Sequence, residues 1–462
     1  MFPGEIEKFC HKHRHCIICD LNISDSDAIV NFVETHTKIA LSGQPNFLGC
    51  KIPVVSNLKL DFWKSMLSQY HDNDVCNFLE IGFPIGFLGT LSQSFKPKNN
   101  SGAREYPDHI FRYLQKELKF QAIIGPFKSN PFITNLQLPP LNTVPKGSEG
   151  DRRIILDLSF PPDNGINSQI SKDHYPGEKI GLRYPSVDDL VNIIKKKGRS
   201  CLMYKKDLSR AYRQIPIDPG DVHLVGYQWK GHIFFDKVLS MGLRSSAYIC
   251  QRVTSAVSYM CTQMGYDVLN YIDDFAGAEK EDQAWTAYEA LGRLLQACGL
   301  QESSEKACAP STVMSVLGVQ FNTVALTLSV TEERVSEILL LVQDWLLKKS
   351  ASLKDVQSLL GKLHFISACV RPGRIFVSRL LSWLRSFRDI NICLEIPKFV
   401  FYDLLWWSKF LIQYNGISMM LMDEWLPLTS LSSATHVLLV VVVYPLLIRS
   451  FSMLHFHPTL KV

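Results

Sequence analysis

In the stretch Tyr271-Ile272-Asp273-Asp274, the Asp-Asp pair lies between two apolar, strand-like segments, residues 268–272 and residues 275–278. Two such segments joined by a polar pair predict a tight hairpin that carries both carboxylates at its tip. Adjacent carboxylates repel each other, and a turn that needed only the right backbone geometry could use Asn or Gly. Divalent cations remove this repulsion, and hard ions such as Mg²⁺ prefer oxygen ligands. An exposed Asp-Asp turn without a function is the alternative, and the neighbouring motifs distinguish the two.

Three further motifs accompany the hairpin in a defined order. Residues 203–217 place Asp207 at the end of a short apolar and basic run, before a turn or helix. Residues 240–247 form a segment of small residues that leads into a predicted helix. Residues 317–321 contain a Leu-Gly pair that predicts a second hairpin.

This order of motifs resembles the reverse transcriptases of gypsy-type and DIRS-type retrotransposons. The resemblance covers roughly residues 100–425 and is most specific over residues 144–321. It implies a nucleotidyltransferase, an RNA-directed DNA polymerase that adds dNTPs to a primer on an RNA or DNA template.

The resemblance assigns the metal chemistry to Asp207, Asp273 and Asp274. Asp207 and Asp273 would bridge two Mg²⁺ ions, with Mn²⁺ as the alternative ion, and Asp274 would assist them. Because these carboxylates must converge, the strand ending at Asp207 and the hairpin should be neighbours in one antiparallel sheet. Their mutual repulsion without metal should raise the pKa of at least one of them. A helix N-cap is the alternative role for Asp207.

Five residues are expected around the incoming nucleotide: Lys146, Arg153, Tyr212, Met241 and Gly242. By the resemblance, Lys146 and Arg153 contact the triphosphate, and the planar guanidinium of arginine suits phosphate; an ordinary charged hairpin is the alternative. Tyr212 would lie beneath the sugar and exclude a 2′-hydroxyl, unless it is a core tyrosine. Gly242 would allow close backbone approach at the nascent base pair.

The sequence departs from the family pattern at several of these positions. Met241 stands where the family often has Gln or Phe, and Arg210 and Ser245 also differ from the common residues. Lys306 lies near the lysine that acts in the family as a general acid for pyrophosphate, although a surface lysine is the alternative.

Nucleic-acid contacts are expected from the two hairpins and from a basic helical region. This region runs from Gly361 to Arg388 without an Asp or Glu, and basic residues alternate with aromatic ones. Such a face could track a phosphate backbone, whereas a solvated helix face is the alternative. The predicted contact residues are Tyr271, Leu317, Gly318, Lys362, Arg371, Arg374 and Arg379.

These assignments predict an α+β fold of the right-hand polymerase type, with an antiparallel palm sheet and a helical thumb. Residues 1–105 would be a mostly helical extension of unknown function. Residues 106–330 would be the fingers and palm, with a linker at 96–105, and residues 331–425 would be the helical thumb or connection. Residues 426–462 are apolar and contain no Asp or Glu, so they cannot form a complete ribonuclease H site.

Composition sets broader bounds on the class of protein. The 462 residues are 46% hydrophobic and 11% aromatic, which excludes a disordered chain and allows a large core. The net charge is only +5, so a nucleic-acid partner must be bound by local basic patches. No signal peptide is recognisable, and the twelve cysteines show no disulfide pattern. We therefore expect an intracellular protein of the cytoplasm or nucleus, with no membrane partner.

Two segments near the termini lie outside the resemblance. Cys16 and Cys19 have a zinc-like spacing, but the retroviral knuckle spacing is absent, so a fragment of a lost upstream finger or a coincidence is the preferred interpretation. Residues 437–448 are apolar but too few to cross a bilayer.

The sequence is also compatible with two alternative functions. One is an RNA-dependent RNA polymerase, which the bulky residue at Tyr212 disfavours. The other is a decayed or domesticated element product that binds nucleic acid without polymerising.

Overall fold

The computed structural model describes residue 54 and residues 56–414 and 418–419, with gaps at 92, 133, 147–149, 176–178, 182, 368 and 390–391. The candidate zinc cysteines, Cys16 and Cys19, and the apolar tail, residues 426–462, lie outside the described residues. Within the part of the chain that the structure describes, every helix is too short or too polar to span a bilayer.

The fold alternates helices with short antiparallel strands. The helices are α1 (Leu60–Met66), α2 (Asp74–Ile81), α3 (Ser101–Glu105), α4 (Pro107–Lys119), α5 (Val187–Lys197), α6 (Ser246–Gln263), α7 (Glu281–Cys298), α8 (Glu332–Leu347), α9 (Leu353–Ile366), α10 (Arg374–Leu384) and α11 (Lys398–Tyr414). The strands are β1 (Ile123–Phe127), β2 (Leu141–Pro145), β3 (Arg152–Leu156), β4 (Leu202–Asp207), β5 (Gly226–Trp229), β6 (His232–Asp236), β7 (Val268–Tyr271), β8 (Asp274–Glu279), β9 (Cys308–Ser311), β10 (Val313–Val316), β11 (Val319–Asn322), β12 (Thr327–Val330), β13 (Ser350–Ser352), β14 (Cys393–Glu395) and β15 (Ser418–Met419).

The central sheet has the strand order β7-β8-β4-β9, and its strands are antiparallel. Asp207 at the end of β4 is the register partner of Asp274 at the start of β8. The predicted adjacency of the Asp207 strand and the Asp-Asp hairpin is therefore confirmed. The predicted α+β class, with helices and antiparallel sheets, is confirmed as well.

The two faces of this sheet pack against different hydrophobic cores. Tyr204 and Phe275 belong to a core formed with the N-terminal helices and α6, whereas Met203 and Ala276 belong to a core formed with the helices after β12. Successive residues of a strand point to opposite faces, which explains why neighbouring residues join different cores. The sheet is thus held rigidly between two packed layers.

Local sequence features account for the starts of two helices. Helix α4 begins with Pro107 at its first position, where proline is favoured, and buries Ile110 and Leu114, which lie one turn apart on the same face. Ser352 and Asp355 form both arms of a capping box at the start of α9.

The linker predicted at residues 96–105 is wrong for its second half. Residues Ser101–Glu105 form α3, and Ala103 is completely buried. The Thr143 hydroxyl donates a hydrogen bond of 2.9 Å to the Gly102 carbonyl, so α3 is fixed against β2. Polar and glycine-rich sequence suggested a loop, but tertiary contacts with β2 stabilise this short helix.

Candidate active site

The candidate site lies where the β7–β8 hairpin meets the end of β4. Ile272 has a positive φ of 55°, so the chain turns sharply and leaves Asp273 at the tip. Asp274 then faces Asp207 across the strand pair. The structure thus brings the three predicted carboxylates together from two distant parts of the sequence.

The side chain of Gln251, on α6, holds this hairpin in its left-handed turn. Its Oε1 accepts a hydrogen bond of 2.6 Å from the Ile272 amide, and its Nε2 donates one of 2.8 Å to the Asn270 carbonyl. The Asn270 side chain donates to the Thr254 hydroxyl at 2.9 Å. The sequence motifs did not indicate a role for Gln251, Asn270 or Thr254. The only indication in the sequence is that Gln251 lies on the helix that follows the small-residue segment.

Asp207 and Asp273 have the raised pKa values expected in a crowded acidic cluster. Burial and the neighbouring Asp274 carboxylate raise the pKa of Asp207 to about 6. Burial and Asp274 also raise the pKa of Asp273. The expectation that at least one carboxylate would titrate above its ordinary range is confirmed, and its cause is desolvation together with like charge.

Two lysine side chains provide positive charge beside these carboxylates. The Lys306 ammonium lies 3.0 Å from both carboxylate oxygens of Asp207. The Lys205 ammonium lies 3.2 Å from the Asp274 Oδ1 atom. That oxygen is buried without a hydrogen-bond partner among the described residues, so Lys205 contributes charge rather than hydrogen-bond geometry. The sequence predicted that Lys306 lies near the site, but it did not predict the contact between Lys205 and Asp274.

The donor chemistry of the cluster fits divalent cations. Carboxylate oxygens are the ligands that Mg²⁺ prefers, and the Lys306 ammonium already stands as a cation against Asp207. In this conformation, no group of three or more His, Cys, Asp or Glu side chains among the described residues is arranged to hold an ion. Because the Lys306 side chain is 58% exposed, it has room to turn toward solvent. Asp207, Asp273 and Asp274 are then the residues that would hold the ions.

The raised pKa of Asp207 predicts a pH-dependent loss of stability in metal-free protein. A carboxyl group with a higher pKa in the folded state stabilises the fold below its unfolded pKa, near 4, and this contribution is lost as pH rises through about 6. The free energy of unfolding should therefore fall from pH 4 to pH 7 by about 1–2 kcal/mol more in the wild type than in Asp207→Asn. Urea denaturation of both proteins in EDTA across this range measures the difference. Parallel pH profiles would contradict the prediction.

Tyr212 lies on a short 3₁₀ turn, Ala211–Gln214, directly after β4. Its side chain is partly buried and packs at the edge of the core that contains α6. Burial raises the pKa of its hydroxyl, and Asp273 and Arg153 lie close enough to act on it electrostatically. Tyr212 therefore lies near the Asp273 carboxylate, and core residues surround its ring only in part.

The β2–β3 hairpin presents two adjacent arginines in different ways. The Arg152 guanidinium donates to the Thr143 hydroxyl at 2.7 Å and stacks over the Tyr106 ring at 3.7 Å, so it serves packing. Arg153 points the other way and is exposed, with no acidic partner recorded among the described residues. Lys146, at the end of β2, is also exposed. The two predicted phosphate-binding residues, Arg153 and Lys146, are therefore exposed and accessible to a ligand.

The Met241-Gly242 turn is fixed against β3. The Leu156 amide donates to the Met241 carbonyl at 3.1 Å, and the Asn167 side chain donates to the Gly242 carbonyl at 2.8 Å. Asn167 also accepts a hydrogen bond of 2.8 Å from the Arg244 amide. The Asn167 side chain therefore holds this turn through both of its polar atoms.

We expect Gly242→Ala to destabilise the protein strongly. Gly242 has a φ of +105°, and an added Cβ would lie 2.0 Å from the Leu156 carbonyl oxygen. Backbone strain costs about 1 kcal/mol, and relief of the overlap requires a shift of the backbone. The free energy of unfolding should fall by about 3 kcal/mol or more.

Gly231→Ala is the matched control for this substitution. Gly231 also has a positive φ, +81°, but no atom lies within 4 Å of an added Cβ. It should therefore lose only the strain contribution of about 1 kcal/mol. Equal losses in the two variants, measured by urea denaturation, would show that the contact with Leu156 is unimportant.

The predicted nucleic-acid contacts lie in several environments. Leu317 and Gly318 form the positive-φ turn between β10 and β11, with the Phe365 ring against Gly318. Tyr271 is 40% exposed and its ring lies 5.6 Å from that of Tyr184, an aromatic neighbour that the sequence did not reveal.

Two of the predicted basic contact residues, Lys362 and Arg379, have acidic partners from other helices. The Lys362 ammonium lies 2.8 Å from Glu337, and the Arg379 guanidinium lies 3.0 Å from the buried Asp403. Arg374 donates to the Ser367 carbonyl at 3.4 Å, and the side chain of Arg371 lies outside the described part. Phosphate contact by Lys362 or Arg379 would therefore compete with these ion pairs.

The fold and the site together define a class of protein. An antiparallel sheet with carboxylates where two neighbouring strands meet, followed by a helical region, is the architecture of a right-hand polymerase. Residues 144–321 match the family model of reverse transcriptase (RNA-dependent DNA polymerase). Residues 144–321 are thus similar to the polymerase domain of reverse transcriptases.

Solved foamy viral structures share the fold. A foamy viral protease-reverse transcriptase in complex with double-stranded DNA is 18% identical with a TM-score of 0.52, covering 78% of this chain and 60% of that chain. A second, in complex with an RNA/DNA hybrid, is 17% identical with a TM-score of 0.50, covering 76% of this chain and 46% of that chain. The chain thus spans less than two thirds of either structure, and the likeness concerns the fold. No curated protein matches the chain.

Proposed function

We propose that this protein is the RNA-directed DNA polymerase of a retrotransposon. Its substrates would be dNTPs and a primer annealed to an RNA or DNA template, and it would need divalent cations, Mg²⁺ or Mn²⁺. The retrotransposon origin rests on the resemblance of the four motifs to gypsy-type and DIRS-type enzymes.

The observation that carries this proposal is the register pair of Asp207 and Asp274, with Asp273 at the adjacent hairpin tip. Burial and the crowding of the three carboxylates raise the pKa values of Asp207 and Asp273; this crowding is costly to the fold, and cation binding offsets the cost. An acidic turn without a function would not require a second strand with a carboxylate at the same place.

The chain's own residues would position both substrates. Arg153 and Lys146 would bind the triphosphate of the incoming nucleotide, and Tyr212 would lie against its sugar. The chemistry supplied by two bound divalent ions is activation of the 3′-hydroxyl of the primer and neutralisation of charge on the departing pyrophosphate. Lys306, released from Asp207, would be free to donate a proton to the pyrophosphate.

Primer extension on poly(rA)/oligo(dT) tests the proposal. The purified chain with Mg²⁺ should incorporate dTTP, and Asp273→Asn should not. An absence of extension with both Mg²⁺ and Mn²⁺, together with tight binding of the template-primer in a gel-shift assay, would instead support the nucleic-acid-binding alternative. Preferential incorporation of UTP would support the RNA polymerase alternative.

A further inference from the structure

Glu117 is a buried carboxylate in α4, outside the matched residues 144–321. It is only 2% exposed and contacts two arginines. Its Oε1 accepts a hydrogen bond of 2.7 Å from Arg210, and its Oε2 accepts one of 2.8 Å from Arg213. Burial alone would raise the pKa of Glu117, but the two guanidiniums hold it below its usual value.

These two arginines flank Tyr212 on its 3₁₀ turn. The Arg213 amide donates to the Arg210 carbonyl at 2.7 Å, which closes the turn with Tyr212 inside it. Arg210 has a positive φ of 55°, an unfavourable conformation for a residue with a side chain. The conformation persists because the Arg210 guanidinium is fixed between Glu117 and the Phe120 ring, 3.8 Å away.

The second arginine connects the turn to the sheet beside it. Arg213 Nη2 donates to Asp236 at the end of β6 at 2.9 Å, and both residues are buried. Two carboxylates and two guanidiniums therefore balance in charge in a water-poor environment, where removal of one member leaves an uncompensated charge. Both ends of the Tyr212 turn are thus tied to one carboxylate on a separate helix.

We propose that Glu117 is a positioning residue that sets the placement of the Tyr212 ring and thereby the preference for deoxynucleotides over ribonucleotides. This inference rests on the proposed polymerase function. It assigns part of the sugar selection to a residue outside the region that the family model matches.

Glu117→Gln tests the inference, because it keeps the side-chain shape and removes the charge. Hydrogen exchange of the amides of Arg213 and Ile215, which close the turn, should accelerate by about tenfold, and the dTTP/UTP preference in kcat/KM should fall by about fivefold. Unchanged exchange in this turn would overturn the inference even if the protein proves inactive. Unchanged preference in an active variant would overturn it while leaving the polymerase function intact.

Glu279→Gln is the matched control. Glu279 is also buried and accepts a hydrogen bond of 2.8 Å from Lys197, but it lies at the far end of β8 from Asp274. This variant should lose stability without changing the exchange of the Tyr212 turn or the sugar preference. A fall in preference equal to that of Glu117→Gln would show a general effect of instability and overturn the inference.

Two further variants separate positioning from folding. Arg210→Gln removes only the partly exposed arm of the cluster and should reproduce the lower preference if Glu117→Gln fails to fold; an unchanged preference would contradict the inference. The double variant Glu117→Gln/Tyr212→Ala should show the same preference as Tyr212→Ala alone, because Glu117 acts through the ring. Additive effects of the two substitutions would show that Glu117 acts independently of the Tyr212 ring, and they would overturn the proposal.

Discussion

Asp273→Asn should reduce primer extension by about a thousandfold or more, corresponding to ~4 kcal/mol of transition-state stabilisation. Asn keeps the size of the side chain but supplies one neutral oxygen where a divalent ion requires a charged ligand. Steady-state incorporation of dTTP on poly(rA)/oligo(dT), measured with saturating Mg²⁺, quantifies the loss.

The stability of this variant distinguishes lost chemistry from lost structure. Burial and Asp274 raise the pKa of Asp273, so the ionised carboxylate is unfavourable in the metal-free fold at neutral pH. Asp273→Asn should therefore unfold at the same temperature as the wild type in EDTA, or at a higher one. A folded variant that retained more than about a tenth of the activity would contradict the metal role.

Asp267→Asn provides the control on the same hairpin. Asp267 lies just before β7 and forms a surface ion pair of 2.7 Å with Lys196. Surface pairs contribute about 0–1 kcal/mol, so extension should stay within about twofold of the wild type. Comparable losses in the two variants would show that the assay responds to general damage of the hairpin.

Tyr212→Ala should lower the preference for deoxynucleotides by roughly ten-fold to a few hundred-fold. If the ring lies beneath the sugar, its removal opens space for a ribose 2′-hydroxyl, so ribonucleotide incorporation rises while deoxynucleotide use falls less. Values of kcat/KM for matched ribo- and deoxynucleotides measure the ratio. A core tyrosine would instead lose stability and equal activity with both sugars.

Tyr212→Phe is the control, because it retains the ring and removes only the hydroxyl. Its preference should remain close to that of the wild type if steric exclusion by the ring is the mechanism. An unchanged ratio in folded Tyr212→Ala would rule out this role and restore the RNA polymerase alternative. A lowered ratio in Tyr212→Phe would assign the discrimination to the hydroxyl.

Several structural features followed from local sequence. The apolar segments on either side of Asp273-Asp274 predicted the hairpin, and Pro107 and Ser352 are residue types that favour the starts of α4 and α9. Such signals depend on backbone propensity and on hydrogen bonds between residues close in sequence, so they can be recognised from the sequence alone. The short helix α3 was missed because its stability comes from contacts with a strand farther along the chain.

The partners of the functional residues were largely invisible in the sequence. The region around Arg379 contains no acid, yet its partner Asp403 comes from another helix. Glu117 meets Arg210 and Arg213 across more than ninety positions, at 93 and 96 residues of separation. Ion pairs of this kind follow no periodicity, because only the packing of elements determines which charges share a buried space.

The order of the motifs, together with the chemistry of their carboxylates, was enough to predict that the Asp-Asp hairpin and the Asp207 strand lie side by side. The contacts that hold them there became visible only in the folded protein: Gln251 fixes the hairpin, Lys306 contacts Asp207, and Glu117 binds the arginines of the Tyr212 turn. Residue type limits what a side chain can do, whereas burial and neighbouring charges, which arise only on folding, determine its protonation and position.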